Sequence, residues 1–402
     1  MPSPDRRLRI LTVTHNYPRF LGDAAGAFVA RIAEGAAAQG HEVQVIAPHA
    51  PGTVVDEVVG GIQLHRFRYA PEGLERVAYT GGHHRGMLSA PLVALALPGF
   101  LLAFANSVRK AVHRFAPDVI HAHWWFPSGW LVSRSHVPFL ITSHGSDVRL
   151  LEHGGLIRSR AERVFRRAAR VTAVSRFLAS DIRQLLPQAI VDIAVTPMPV
   201  DVASFMRGAG QSKAEPPRIL YAGNLVPSKG VDLLLHAAAE LSNRGVPYQL
   251  KILGEGPALN RLQALGAQLD LGARVTWSAF VPQAQMPSEY GASTVTVLPT
   301  RGRAEGLGLT LVEALLAGSA VVGTPAGGIP EVVQHDQTGL LARDGDAADL
   351  ANQIHRLLTD DLLRNRLVRA GKELMLQTYS PEAAVGRFLE IYHAIARDQP
   401  NR

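Results

Sequence analysis

The residues best suited to chemistry lie in one stretch, Thr300–Val333, which reads TRGRAEGLGLTLVEALLAGSAVVGTPAGGIPEVV. Two carboxylates in it, Glu305 and Glu313, flank a glycine turn at Gly306 and Gly308. Glycines there let the backbone bend sharply, and the spacing predicts a helix from near Leu309 to Gly318. The first-turn amides, at Gly308, Leu309 and Thr310, lack partners within such a helix. Together with the helix dipole they make a seat for a pyrophosphate. A carboxylate just before the turn can accept sugar hydroxyls. One lying further along can accept the two hydroxyls of a ribose, the logic by which dinucleotide folds read that group. Taken alone, two glutamates at this spacing fit two solvated helix positions as well.

The elements that must position these groups repeat as strand, helix, strand, twice over. In the first half, strands are expected at Leu8–Thr14, Glu42–Ala47, Asp118–Ala122, Pro138–Thr142, Val171–Val174 and Asp192–Val195, with a helix at Ala27–Gln39 stopped by Gly40. Short apolar runs alternating with helices indicate a parallel sheet covered on both faces. The polar, Gly- and Pro-rich stretch Gly208–Pro217 suits a linker. Strands then return at Arg218–Ala222, Tyr248–Leu253, Arg274–Trp277, Thr294–Leu298 and Ala320–Gly323, with a helix at Val231–Ser242. A last helix from Glu382 to about Ala396 carries Val385, Phe388, Leu389, Tyr392 and Ile395 on one face. The expected division is 1–205, a linker at 206–217, 218–380, and a terminal helix at 381–402 crossing back to the first domain. The fold class is α/β: two doubly wound, Rossmann-like domains. Ligands bind such sheets at the carboxyl ends of the strands, so two of them create a two-substrate cleft.

Bulk properties narrow the choices. With 402 residues, 47% of them apolar, each domain can bury a core. The absence of cysteine removes disulfides, thiolate metal sites and cysteine nucleophiles. The opening MPSPDRRLRILTVTH has no apolar core of a signal peptide. The apolar segment Ala90–Ala105, with Pro91 and Pro98, falls short of the roughly 20 residues that span a bilayer, and reads as a covered helix or an interfacial one. A cytoplasmic protein is expected, with peripheral contact at the inner face of the plasma membrane as a further expectation. The net charge of +7 is confined to residues 1–205, with 22 Lys and Arg against 15 Asp and Glu; residues 206–402 are balanced. A basic first half suits an anionic acceptor or membrane surface, or serves solubility alone. No aromatic-interleaved basic stripe points to nucleic acid.

The ordered string around the two glutamates resembles the E-x7-E motif of retaining GT-B glycosyltransferases, family 4 above all. EGLGLTLVEALLAG is followed by the turn Gly327-Gly328-Ile329-Pro330-Glu331, as in that family. The loop Gly223-Asn224-Leu225-Val226-Pro227-Ser228-Lys229-Gly230 looks like the family's G-R-L-x-x-x-K-G loop. The resemblance implies that Lys229 meets the departing diphosphate, stabilising its charge. Asn224 departs from the usual Arg, which weakens the charge clamp; Arg301 or Arg303 would compensate, or be loop-surface arginines. Gly254-Glu255-Gly256-Pro257 is similar to the family's G-x-G-P turn at the nucleotide, and also fits a plain tight turn. Phe280-Val281-Pro282 lies where the family holds the base, with Val281 among the donor-binding residues.

The resemblance assigns the acceptor to the first domain. Pro18–Val29 joins the first strand to its helix, and Gly26 within it opens the helix and lets an acceptor phosphate approach the amides, or is a simple turn glycine. Thr142-Ser143-His144-Gly145-Ser146-Asp147 looks like the family's HGxD-type loop, in which His144 contacts the transferred sugar and Asp147 orients it or binds acceptor. His121 and His123, one residue apart on a strand, face the same way; acceptor contact or packing is preferred to a metal pair. Arg163, Arg166, Arg167 and Arg170 fall on one face of an Arg-rich helix, for anionic lipid or an acceptor pyrophosphate, or as a solvated face. No DxD motif stands in a convincing place: in Asp344-Gly345-Asp346 the last residue suits an N-cap. No metal or cofactor is expected beyond a nucleotide diphosphate sugar as co-substrate, passed to a polysaccharide, lipid-linked or small-molecule acceptor. The rival functions are a GT-B-like nucleotide-sugar epimerase and a catalytically weak nucleotide-sugar-binding protein.

Overall fold

The computed structural model describes residues 6–75, 77–79, 91–189, 192–279 and 281–398. It divides into two compact units, Met1–Pro199 with Pro381–Arg402, and Val200–Ser380.

In the first unit the apolar, β-branched runs form β1 (Arg9–Val13), β2 (Glu42–Pro48), β5 (Val119–His123), β6 (Phe139–Ser143), β7 (Arg170–Ala173) and β8 (Ile193–Val195). Two further strands, β3 (Asp56–Val59) and β4 (Ile62–Phe67), were not expected. The sheet order is β3-β4-β2-β1-β5-β6-β7-β8, parallel except for the β3–β4 hairpin at one edge. From β1 the chain moves outward through β2 and β4; from β5 it moves outward the other way. The reversal therefore falls between neighbours β1 and β5, where Thr12 pairs with His121, and a doubly wound sheet opens its ligand crevice at such a point.

The apolar segment proves to be the start of a longer helix, Pro91–Phe115, with Pro98 inside it; its expected first residue, Ala90, lies outside the described residues. Phe100, Phe104, Val108, Ala111 and Phe115 are buried along one stripe. Phe104 stacks on Phe67 of β4 at 4.5 Å. Among the described residues no helix is long and apolar enough to cross a membrane.

The second unit holds β9 (Arg218–Ala222), β10 (Gln249–Leu253), β11 (Val275–Ser278), β12 (Val295–Leu298), β13 (Ala320–Gly323) and β14 (Leu340–Leu341). Their order, β11-β10-β9-β12-β13-β14, is parallel throughout and reverses between β9 and β12. The stretch 206–217 belongs to this unit. It starts as the end of the helix Val202–Gly208, and Lys213 fastens it by donating to the carbonyls of Gly291, Ser293 and Gly318 at 2.7–2.9 Å.

The last helix, Pro381–Arg397, groups with the first unit, burying Val385, Phe388, Leu389, Tyr392 and Ile395. It lies so close to the helix Ala27–Ala38 that a Cβ on Gly35 would stand 2.4 Å from Val385.

Candidate active site

In the second unit the loops leaving β9 and β12, the two strands at the reversal, carry the candidate residues. The first loop runs through Gly223–Gly230 and the second through Pro299–Gly308. They are tied together: the Arg301 amide donates to the Ser228 carbonyl at 2.9 Å, and a Cβ on Gly230 would lie 2.0 Å from the Pro299 carbonyl oxygen. This closeness brings Lys229 Nζ to 2.5 Å from Glu305 Oε2, although the two stand 76 residues apart. Both side chains are largely sheltered, 19% and 16% exposed.

Behind Glu305, the turn Gly327-Gly328 packs on its backbone. The Gly328 amide donates to the Glu305 carbonyl at 3.1 Å, and Gly327 sits at φ 56° where a Cβ would meet that same oxygen at 1.8 Å. Only glycine fits there. After Glu305 the helix Leu309–Leu316 begins with Gly308 in the left-handed region. Of the two glycines expected to make this bend, Gly308 alone has positive φ; at Gly306 the backbone carbonyl is accommodated by Gly328, where a Cβ would stand 2.4 Å from that oxygen. The amides of Leu309 and Thr310 thus open the helix beside the Lys229–Glu305 pair.

Glu313, one turn on, accepts from the hydroxyl of Tyr290 at 3.0 Å. Tyr290 is 1% exposed and lies in the helix Met286–Gly291. Burial, then the Glu313 carboxylate, pushes its phenol well above the usual range, so it remains a donor. Tyr221 supports the other loop, its hydroxyl donating to the Asn224 carbonyl at 2.8 Å while the Asn224 side chain stays exposed. Gly254 and Gly256 permit the β10 turn to lie on this loop: a Cβ at either would stand 1.9 Å from the Gly223 oxygen or 2.3 Å from that of Leu225. Arg301 is engaged elsewhere, bidentate to Asp232 at 2.9 and 2.8 Å. Its charge is matched within the protein, as that of Lys229 is by Glu305. Val281 follows β11; Phe280 lies outside the described residues.

In the first unit His144 leaves β6 half-buried, with Nε2 3.1 Å from His123 Nδ1. Burial and then the nearby imidazoles press the His144 pKa far down, and burial takes His123 to about 3, so both rings are neutral. His123 is fully buried, which corrects its expected role: it abuts His144 and does not face an acceptor. Of the two roles expected for Asp147, orienting the His144 loop fits its geometry and acceptor contact does not. It is fully buried, and its oxygens accept the amides of His144, Gly145 and Trp125 at 3.0–3.1 Å. It orients the His144 loop. His121 has both ring nitrogens engaged, by the Tyr392 hydroxyl at 2.6 Å and Thr142 Oγ1 at 2.7 Å, so the His121–His123 pair serves packing. Gly26 sits at φ 67° with a Cβ position 2.2 Å from the Asn16 carbonyl oxygen, so close backbone approach accounts for glycine here.

Two family models match the chain: Glycosyltransferase Family 4 over residues 25–204 and Glycosyl transferases group 1 over residues 203–374. The chain belongs to glycosyltransferase family 4. The N-acetyl-alpha-D-glucosaminyl L-malate synthase of Bacillus anthracis is 27% identical to this glycosyltransferase, over 76% of this chain and 82% of its own. Sucrose-phosphate synthase from Thermosynechococcus elongatus superposes with a TM-score of 0.79 at 22% identity, over 98% of this chain and 100% of that one. HepE from Anabaena, solved in complex with UDP and glucose, has a TM-score of 0.67 at 18% identity, over 96% of this chain and 100% of that one. The fold is GT-B.

Other groups of this family 4 enzyme fall out differently from expectation. The Arg-rich helix spans Gly155–Arg167, so Arg170 leaves the expected face for β7, where it pairs with Asp398 at 2.9 Å. Arg160, Arg163, Arg166 and Arg167 stay exposed. Asp346, as expected, caps the helix Ala347–Thr359 by accepting from the Asp349 amide. Among the described residues no group of three or more His, Asp or Glu is arranged to hold a metal. Tyr290, Tyr221 and Asp232 went unnoticed in the sequence. A lone tyrosine in an apolar run looks like any core aromatic, and its hydroxyl partner is visible only once the chain folds.

Proposed function

We propose that this glycosyltransferase moves a glycosyl group from a nucleoside diphosphate sugar to an acceptor hydroxyl with retention of anomeric configuration and without a catalytic metal. The observation that carries the proposal is the Lys229–Glu305 pair at the opening of the Leu309 helix. An ammonium, a helix N-terminus and a carboxylate within one cradle suit a diphosphate joined to a sugar. When donor binds, Lys229 exchanges Glu305 for the diphosphate, and Glu305 turns to the sugar hydroxyls. Glu313 takes the ribose hydroxyls, and the Gly223, Asn224, Gly254, Gly256 and Val281 loops enclose the nucleotide. The HepE complex with UDP and glucose supports a ligand of this class.

The reaction breaks the bond from the anomeric carbon to the β-phosphate oxygen and forms one to the acceptor oxygen on the same face. The acceptor proton passes to the departing phosphate oxygen. Lys229 and the amides of Leu309 and Thr310 stabilise the charge that grows there. A double displacement needs a carboxylate beneath the anomeric carbon; in this reading Glu305 is spent on the sugar hydroxyls and Glu313 on those of the ribose. His144 contacts the sugar from the acceptor side, with Asp147 and His123 holding its loop and ring. The acceptor class comprises glycans, lipid-linked glycans and small hydroxyl compounds. The basic first unit favours acceptors with anionic groups and peripheral attachment to an anionic membrane surface.

NMR of the product formed from an α-linked donor in EDTA tests this directly. An α-linked product at undiminished rate is expected. A β-linked product refutes retention, and loss of rate restored by a divalent cation refutes metal independence.

A further inference from the structure

At the reversal point of the first sheet, four rings gather from three loops. His15 follows β1, Trp124 follows β5, His144 follows β6, and Phe28 opens the helix Ala27–Ala38. The Trp124 ring centroid lies 4.3 Å from His15, 4.4 Å from His144 and 6.0 Å from Phe28, and Phe28 lies 4.9 Å from His144. Trp124 is buried at 6% exposure, whereas Phe28, His15 and His144 are each partly open to solvent. Trp124 holds φ 66° and ψ 135°, a conformation that bulky L-residues avoid. Its neighbours fix it there: its amide donates to the Thr142 carbonyl at 2.8 Å, its carbonyl accepts from the Gly129 amide at 3.0 Å, and its indole N–H donates to Ser146 Oγ at 3.1 Å. Strain maintained by so many contacts clusters at ligand sites.

We propose that Phe28, Trp124, His15 and His144 form a stacking platform for a pyranose ring of the acceptor. The proposal rests on the transfer reading given above and adds the class of acceptor. A pyranose has apolar C–H faces and a polar rim. The partly open Phe28 ring, backed by the buried Trp124, supplies the first complement, and the partly open edges of His15 and His144 supply the second. The cluster is a poor seat for an anionic head group. His144 is held neutral by burial, Asp147 beneath it is spent on backbone amides, and the arginine–ring contacts among the described residues fall on other rings, those of Phe20, Tyr79, Tyr17, Phe115 and Trp130.

The test is saturation-transfer NMR on the full chain, with UDP, GDP and ADP present in turn. The probes are methyl α-glucoside, methyl α-mannoside and maltose, with open-chain sorbitol as control. Wild type is expected to saturate the C–H protons of one pyranose face and to leave sorbitol untouched. Phe28→Leu keeps apolar volume but loses the ring face, and its affinity for the bound pyranoside is expected to fall roughly tenfold. Phe28→Tyr keeps the ring and is expected to bind as wild type does. The thermal shift produced by the nucleotide monitors folding and the second unit in each variant, and is expected to persist. Equal pyranoside affinity in Phe28→Leu and wild type overturns the platform, as does saturation of no pyranoside while the nucleotide shift persists. Absence of any nucleotide shift in wild type counts against the transfer reading instead.

Discussion

At the scale of single residues, the proposed reaction runs by exchange of partners. Lys229 and Glu305 neutralise each other at 2.5 Å in a sheltered place, and the proposal has a donor replace each partner. Glu313 is different: the Tyr290 hydroxyl holds one oxygen at 3.0 Å, so its carboxylate is aimed before ligand arrives. Tyr290→Phe removes that one donor and little volume. It is expected to raise the donor KM about tenfold, roughly the worth of one hydrogen bond to a charge, with kcat within about twofold. Steady-state kinetics over donor concentration check this; an unchanged KM would show that Glu313 needs no support. That Glu305, Glu313 and Lys229 belong to one candidate site was legible because they stand within an ordered string of glycines. For Asp147 and His123 the choice between the two expected roles was not legible, since a sequence shows neither that a carboxylate is enclosed by amides nor that a ring is wholly buried.

At the scale of elements, the glycines matter as places where two backbones meet. The Gly327-Gly328 turn presses on the Glu305 loop, and a methyl group at Gly327 would sit 1.8 Å from the Glu305 oxygen. Gly327→Ala is expected to cost about 1–3 kcal/mol of stability through forced backbone strain. It should also cut kcat/KM for donor at least tenfold by displacing Glu305. Denaturant melts and initial rates measure both; full activity with lowered stability would separate the turn from the site. Element type was largely readable, because buried parallel strands appear as β-branched runs and the helices between them show one apolar face. The β3–β4 hairpin was not. Its outer strand, DEVV, is short and mostly exposed, with Val58 at 74% exposure, so no alternation of apolar and polar residues marks it. The far end of the helix Pro91–Phe115 was missed for a related reason. Beyond Ala105 its buried stripe thins to Val108, Ala111 and Phe115 among basic residues.

At the scale of the whole molecule, the two units differ in their titrating groups as well as in net charge. In the first unit the pKa values of His41, His121, His123, His144 and His393 are all lowered, chiefly by burial. A histidine whose pKa is lower when folded stays neutral while its unfolded counterpart takes up a proton. The stability tied to these groups is therefore complete above pH 6.5 and drains away as pH falls below it, down to about 3 for His123. Differential scanning calorimetry between pH 7.5 and 5 is expected to show the transition of the first unit, terminal helix included, falling markedly. A first-unit transition that holds steady across that range would mean that these histidines are more hydrated than their packing implies. The terminal helix joins the same network through Tyr392 and His121. That this helix buries one face was legible from its apolar stripe, but its hydroxyl-to-imidazole contact was not.

The central claim is that Lys229, Glu305 and the start of the Leu309 helix bind a nucleoside diphosphate. Calorimetric titration of wild type and Lys229→Met with UDP, GDP and ADP tests it most directly. At least one nucleotide should bind wild type, and Lys229→Met should bind that nucleotide at least tenfold more weakly, with the fold confirmed by an unchanged circular dichroism spectrum. Equal binding by both proteins, or binding of none of the three to wild type, would contradict it.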